Sequence, residues 1–343
     1  MDRHPGGKPK TPNTPLPSTR PKAEVSRAQG LIIRCSRNNF TVRLENYHLE
    51  CSIKGKILKD SEGYYNPLAP GDRVLVEADS ADPGSGQIVS LEKRINVFTR
   101  FNQKGQAPQL LAANVDFALC LTTGASPPFR PRFLDRALLQ SDLAGIQPLI
   151  VCNKIDLDTD DPNVDERLED FVRIGYPLFR ISAKTGEGIA ELMDFIGGKC
   201  SVMIGQSGVG KSTIINALSP SMNLKTASIN EKYDRGNHTT VMAQMFDIDS
   251  TRIIDTPGIR RFVPDGISAE DLIHHMREFS PLAGSCTYGL SCSHRIEPGC
   301  KIMEAVAAGY IHEDRYNSFL RIYDELAGGE ARRSGLAWNA GTS

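Results

Sequence analysis

Between the strand-like run CSVMIG (200–205) and the helix-forming stretch STIINAL (212–218), the chain reads Gly205-Gln206-Ser207-Gly208-Val209-Gly210-Lys211-Ser212. This is GxxxxGK[ST] in the strand–loop–helix setting that gives the pattern its meaning. The glycines let successive backbone N–H groups curl around phosphates at a helix N-terminus. Lys211 reaches the outer phosphates, Ser212 binds magnesium, and Thr213 follows in the first helical turn. The surrounding sequence supplies the matching architecture. VDFALCL, a helical stretch from Pro131 to Leu143, PLIVC, a helix ending near Ile174, PLFRIS, another helix and CSVMIG alternate strand with helix. Such alternation predicts a mostly parallel sheet covered on both faces, whose ligands bind at the carboxyl ends of its strands.

Further motifs fall on those strand ends. TRIIDTPG closes an apolar strand with Asp255-Thr256-Pro257-Gly258, which places Asp255 to hold magnesium and the Gly258 N–H to sense a γ-phosphate. Asn153-Lys154-Ile155-Asp156 ends PLIVC, and Ser182-Ala183-Lys184 ends PLFRIS. Together these specify guanine. Asp156 accepts two hydrogen bonds from the N1 and 2-amino edge that adenine lacks, and a site built on such bonds rejects the analogue by roughly 10⁴. Asn153 and the Ala183 N–H are assigned to the base, with the Lys154 stem over the ring.

A polar stretch from Asn230 to Asn237, then His238-Thr239-Thr240, occupies the place of a switch loop. Thr240, which directly precedes the next strand, is the residue assigned to magnesium and the γ-phosphate. After DTPG the chain reads Ile259-Arg260-Arg261, without the water-orienting glutamine of Ras-like enzymes, so His238 is the candidate to position water. Lys211, Thr240 and His238 form the candidate catalytic set.

The flanks differ in kind. Residues 1–29 hold six prolines and six Lys or Arg against two acids, the composition of a basic disordered tail. From 30 to 98, LIIRC, FTVRL, HLECSI, RVLVEA and GQIVSLE read as five short strands separated by turn signals, which suits a small OB-like barrel. Nine basic residues balance nine acids there, so charge does not mark it as an RNA binder. Phe40, Tyr47, Tyr64 and Tyr65 suit either base stacking or a core. RFNQKGQAPQ reads as a polar link to the sheet. Beyond 263, SAEDLIHHMREF begins with a capping Ser268 and Asp271, RYNSFLRIYDEL is helical, and Cys286, Cys292 and Cys300 lie within fifteen residues around His294. The other five cysteines are scattered in apolar runs. In a reducing compartment the clustered ones read as a metal site.

With a net charge of −1 and 40% hydrophobic residues the chain is ordinary globular protein. No apolar run approaches the ~20 residues needed to cross a bilayer, and the N-terminus lacks the apolar core of a signal peptide, so a cytoplasmic protein with no membrane partner is expected.

In an ordinary GTPase the phosphate loop comes first and the guanine motifs last; here NKID and SAK precede GQSGVGKS and DTPG. The order is circularly permuted, which a fold survives when its old termini are close. With AANVD, Phe133-Leu134-Asp135-Arg136, GQSGVGKS, GNHTT, DTPGIR and HRIEPGC, the chain resembles the RsgA (YjeQ) family over nearly its whole length. The resemblance implies a multidomain α/β protein. Its parts are a tail (1–29), an RNA-binding OB barrel (30–98), a circularly permuted GTPase domain (99–263) and a zinc-binding helical domain (264–343). It further implies a GTP hydrolase acting in late maturation of the small ribosomal subunit, with that subunit and its ribosomal RNA as partners, GTP/GDP and magnesium as ligands, and a monomeric state. The family's four zinc ligands correspond to Cys286, Cys292, His294 and Cys300. One departure is that TYGLS puts five residues between the first two cysteines where four are expected; it should lengthen a loop without abolishing coordination. Residues 264–343 carry seven basic and eleven acidic residues, so RNA contacts must be local, with Lys93, Arg94, Arg100 and Lys104 as candidates. A nucleotide-gated RNA-binding module with incidental hydrolysis is the competing reading.

Overall fold

The computed structural model describes residues 27–36, 38–55, 63–80, 82–102, 104–159, 161–219, 243–259 and 262–333. His238, Thr239, Thr240 and the tail up to residue 26 lie outside them.

The first element among the described residues is β1 (Arg27–Ser36), which starts three residues before the boundary read from composition. β2 (Asn39–Arg43), β3 (His48–Ile53), β4 (Arg73–Ala78) and β5 (Ser85–Leu91) follow. They pair in the order β1-β2-β3-β5-β4, and β4 returns to β1, closing a five-stranded barrel with β3 and β5 parallel. Alternation drives the closure: Phe40 and Val42, Leu49 and Cys51, and Val74 and Val76 point inward with Ile32 and Ile88 and are all buried. Phe40 is thus core, while Tyr47 and Tyr65 are exposed.

The stretch read as a polar link is a hairpin. β6 (Val97–Asn102) and β7 (Ala107–Ala113) form a separate two-stranded sheet. Its polar residues pair across the strands, Arg100 donating to Gln109 Oε1, and Asn102 Oδ1 accepts the N–H groups of Lys104 and Gly105 in the turn. Phe98 and Leu110 bury its inner side. Arg94 is not a free cation either. It forks onto the buried Asp72 at 2.7 and 2.8 Å and donates to Pro67 O, holding the barrel's exit.

β8 (Phe117–Thr123), α1 (Pro131–Leu143), β9 (Gln147–Asn153), α2 (Asn163–Arg173), β10 (Leu178–Ile181), α3 (Ile189–Ile196), β11 (Cys200–Gly205), α4 (Lys211–Leu218), β12 (Gln244–Ile248) and β13 (Thr251–Asp255) build the central unit. Strand order is β10-β9-β8-β11-β13-β12, parallel except for β12 against β13. α1 and α2 pack on one face and α3 and α4 on the other, each over a separate apolar core. β1 and β12 meet at Arg34 and Gln244, which carries the sheet into the barrel.

After residue 262 come α5 (Leu272–His275), α6 (Lys301–Ala307) and α7 (Glu313–Arg333). The helix expected over SAEDLIHHMREF is a single turn. Ser268 Oγ does accept the Asp271 N–H at 3.1 Å, but the extended backbone at Met276 breaks the helix and lets Phe279 stack on Phe319. Leu139 of α1 belongs to the same core, which docks this unit on the central one. Among the described residues, no helix is long and apolar enough to cross a membrane.

Candidate phosphate-binding site and metal centre

Parallel pairing brings four strand ends side by side. Asn153 ends β9 opposite Ile181 of β10, Gly205 ends β11, and Asp255 ends β13 opposite Met203. The phosphate and guanine motifs therefore converge although they are far apart in sequence. Ser182, Ala183 and Lys184 continue from β10, and Ser212 and Thr213 lie in the first turn of α4, where the helix N-terminus favours negative charge.

Gly210 caps α4 in the left-handed region (φ 95°), and a Cβ there would lie 2.4 Å from Asn153 Nδ2. The contact reveals what Asn153 does. Its Nδ2 donates to Val209 O at 2.9 Å and its Oδ1 accepts the Ala183 N–H at 3.0 Å, with the side chain buried. Asn153 and Ala183, both assigned to the base from sequence, are engaged with each other and staple the guanine loop to the phosphate loop. Lys154, held at φ 68°, donates from Nζ to Ser126 O and Gly208 O at 2.6 and 2.7 Å, so it braces the same junction. Asp156 Oδ1 accepts the Ser182 hydroxyl at 2.7 Å. That bond, with help from Lys184 at 3.5 Å from Oδ2, holds the carboxyl below its ordinary range and keeps it an acceptor.

Lys211 Nζ donates to the carbonyls of Gly205 and Gln206, both at 3.4 Å, and burial lowers its pKa. Asp255 is pushed up to about 6 by burial, against the pull of Lys211, and its buried Oδ1 has no hydrogen-bond partner among the described residues. An orphaned carboxylate oxygen beside a lysine, on the sheet edge that carries Ser212, fits a divalent cation or its water. The DTPG loop is seated firmly: Thr256 donates to Met203 O at 2.7 Å, and the Ile259 N–H to Gly205 O at 3.1 Å. A Cβ on Gly258 would meet Ser207 N and Cα at 3.0 Å, so only glycine lets the two phosphate-facing loops approach this closely.

The Cys286, Cys292, His294 and Cys300 ligand atoms all lie within 4.8 Å of one another and are buried. His294 Nδ1 is 3.6 Å from Cys286 Sγ and 3.5 Å from Cys300 Sγ; the two sulfurs are 3.8 Å apart. Zinc–sulfur bonds of about 2.3 Å and zinc–nitrogen bonds of about 2.0 Å at tetrahedral angles give edges of about 3.8 and 3.5 Å. The donor set fits zinc. The extra residue of TYGLS is absorbed in a 3-10 turn over Gly289–Ser291. The Lys301 N–H donates to Cys286 Sγ, and Tyr316 OH to His294 O, fixing the donors from outside.

Sequence reasoning did not find the work of Asp135-Arg136. Asp135 takes Arg315 of α7, and Arg136 donates to Glu325 of α7 and to Phe262 O, so these residues tie the last helix to the central sheet. Nothing in the local pattern signalled partners some 180 residues away.

Comparison with known proteins matches this arrangement. Residues 91–263 fit the family model described as RsgA GTPase. The small ribosomal subunit biogenesis GTPase RsgA of Bacteroides fragilis is 35% identical over 309 residues, covering 89% of this chain and 99% of the relative. Its counterpart in Borrelia recurrentis is 37% identical over 278 residues, 80% of this chain and 86% of the relative. The crystal structure of YjeQ from Thermotoga maritima superposes with a TM-score of 0.67 at 31% identity, covering 88% of this chain and 99% of that one. That of YloQ, a circularly permuted GTPase, gives 0.61 at 25% identity, covering 90% and 98%.

Proposed function

Because the chain belongs to the RsgA GTPase family, we propose that it hydrolyses GTP to GDP and phosphate to assist late maturation of the small ribosomal subunit. In this reading it binds ribosomal RNA and leaves when the γ-phosphate is lost. The observation that carries it is the convergence of NKID, SAK, the phosphate loop and DTPG on adjacent strand ends in permuted chain order.

Asp156 reads the guanine edge, held ionised by Ser182 and Lys184. Asn153 and Lys154 lock that loop to the phosphate loop, so base and phosphates are gripped at a fixed separation. Backbone N–H groups from Gly205 to Thr213 cradle the phosphates and Lys211 neutralises charge developing on them. Ser212, Asp255 and Thr240 would hold magnesium, which would supply charge neutralisation to the phosphates. His238 orients the attacking water, and the Gly258 N–H reports the γ-phosphate. Zinc on Cys286, Cys292, His294 and Cys300 leaves no position for a catalytic water and is structural. The barrel (30–98) and the zinc unit (264–343) grip RNA, and the protein acts as a cytoplasmic monomer.

GTP hydrolysis by the purified protein, measured with small subunits, large subunits or neither at matched concentrations, tests this. A large increase with small subunits alone is the expected result; no increase with either removes the ribosomal role.

A further inference from the structure

A cavity of about 430 Å³ opens beside the phosphate loop, within the size range of small-ligand sites. Its apolar walls are Phe129 and Phe133 at the start of α1 and Phe262 in the segment after DTPG. Gln206 lines it from the phosphate loop. That residue is 8% exposed. Arg130 and Arg132 stand exposed on the same cavity at the N-terminal end of a thirteen-residue helix, and neither has an ion-pair partner among the described residues. Arg136 is already committed, to Glu325 and Phe262 O.

Aromatic walls and two guanidinium groups without an ion-pair partner among the described residues, beside two carboxylates already held by other cations (Asp314 by Arg167, Glu325 by Arg136), suit a flat ring that carries a phosphate. We propose that the cavity takes one nucleotide unit, its ring against the phenyl walls and its phosphate at Arg130 and Arg132, and that occupancy sets the position of Phe262. Phe262 lies four residues beyond Gly258. Its carbonyl is held by Arg136, and just downstream the Asp265 N–H donates to Gln140 Oε1 at 2.7 Å. A ligand against Phe262 therefore acts on the segment that must respond to the γ-phosphate. The proposal rests on the ribosomal reading only for the source of the nucleotide, an RNA chain as opposed to a free mononucleotide.

The test uses the full chain with magnesium and a non-hydrolysable GTP analogue, which fills the phosphate-loop site. Uridine monophosphate and hexauridylate are the probes, since uracil lacks the guanine edge that Asp156 reads. Phe129→Trp in a Trp338→Phe background places a fluorophore at the wall. Either probe should quench its emission, and Arg130→Glu with Arg132→Glu should raise the half-saturating probe concentration at least tenfold, with GTP-analogue affinity and zinc content unchanged. Quenching by both probes assigns the cavity to nucleotides generally; quenching by hexauridylate alone assigns it to RNA. No quenching, or an unchanged midpoint in the double variant, overturns the proposal. Hexauridylate should also change GTP turnover severalfold in the natural chain and not in the double variant, and level turnover in both overturns the regulatory part. If small subunits fail to stimulate hydrolysis while quenching persists, the ribosomal reading falls and the cavity stands. If stimulation is intact and quenching is absent, the reverse holds.

Discussion

Arg315 of α7 donates to Asp135 of α1 at 2.8 Å, and both side chains are almost fully buried. Arg315 also forks onto Glu278 at 2.5 and 2.9 Å and lies over the Phe171 ring, so one guanidinium joins the unit that carries the Cys/His cluster to two helices of the central sheet. Arg315→Met leaves the buried Glu278 without its cation and Asp135 with only Arg167, 3.8 Å away. Breaking a buried ion pair from one side costs about 3–5 kcal/mol, and the urea midpoint of the chain should fall accordingly. Adding Glu278→Gln should recover part of the loss, because fewer buried charges are then unpaired.

Asp156→Asn tests guanine recognition. The substitution removes the acceptor that Ser182 and Lys184 keep ionised and offers an N–H to the guanine N–H edge. Hydrogen bonds to a charged group are worth about 1.5–3 kcal/mol each, so GTP affinity should fall by roughly 10² or more. Xanthosine triphosphate, with a carbonyl in place of the 2-amino group, should gain. Competition binding with the two nucleotides checks both directions.

Much of this site was readable in advance because its chemistry is local. GQSGVGKS, NKID, SAK and DTPG each sit on one strand end, and period-two runs such as FTVRL and RVLVEA disclosed the barrel strands. What was missed depends on distant partners. Arg94 read as a free cation until Asp72 closed on it, and RFNQKGQAPQ read as a link because its polar residues satisfy one another only across a hairpin. The stapling role of Asn153 escaped notice for the same reason: the loop it bonds comes 56 residues later.

Cys300→Ser should abolish zinc binding and loosen the unit that follows residue 263. Cys300 is the residue before α6 and shares its core with Phe279 and Phe319, so the ion's donors and the apolar cluster stabilise each other. Structural zinc is worth about 10–16 kcal/mol in isolated fingers, more than a small core supplies. Hydrogen exchange should accelerate across α6 and α7, zinc content should vanish, and GTP binding by the central sheet should persist. Retained zinc in the variant would contradict the ligand assignment.

His238→Ala separates turnover from binding. The chain has Ile259-Arg260-Arg261 where a water-orienting glutamine is found in Ras-like enzymes, and the proposed function gives that task to His238. A residue acting only on water should lower kcat by about 10²-fold, in the range of general acid–base contributions, with GTP affinity unchanged. Single-turnover hydrolysis beside equilibrium GTP binding distinguishes this from a binding defect, and normal turnover would remove His238 from the mechanism.

Asp255 links metal binding to pH. Burial raises its carboxyl from the ordinary 3.8 to about 6 despite the nearby Lys211, and magnesium requires the ionised form. In the nucleotide-free protein the proton must leave as the ion arrives. Apparent magnesium affinity should therefore be level above about pH 6 and fall by about tenfold per pH unit below it. Stability of the ion-free protein should run the other way. With its folded pKa above the unfolded one, the group binds protons more tightly in the folded state between the two values. Its cost to stability is thus fully present above about pH 6 and is relieved as pH falls toward about 4. Asp255→Asn removes the ionisation, so both slopes should flatten and the ion-free variant should be more stable than the natural chain at about pH 7. Magnesium titrations and ion-free thermal unfolding from about pH 5 to 7 measure the two slopes together. A natural chain whose magnesium affinity stays level down to about pH 5 would show that Asp255 is not the buried carboxylate that holds the ion.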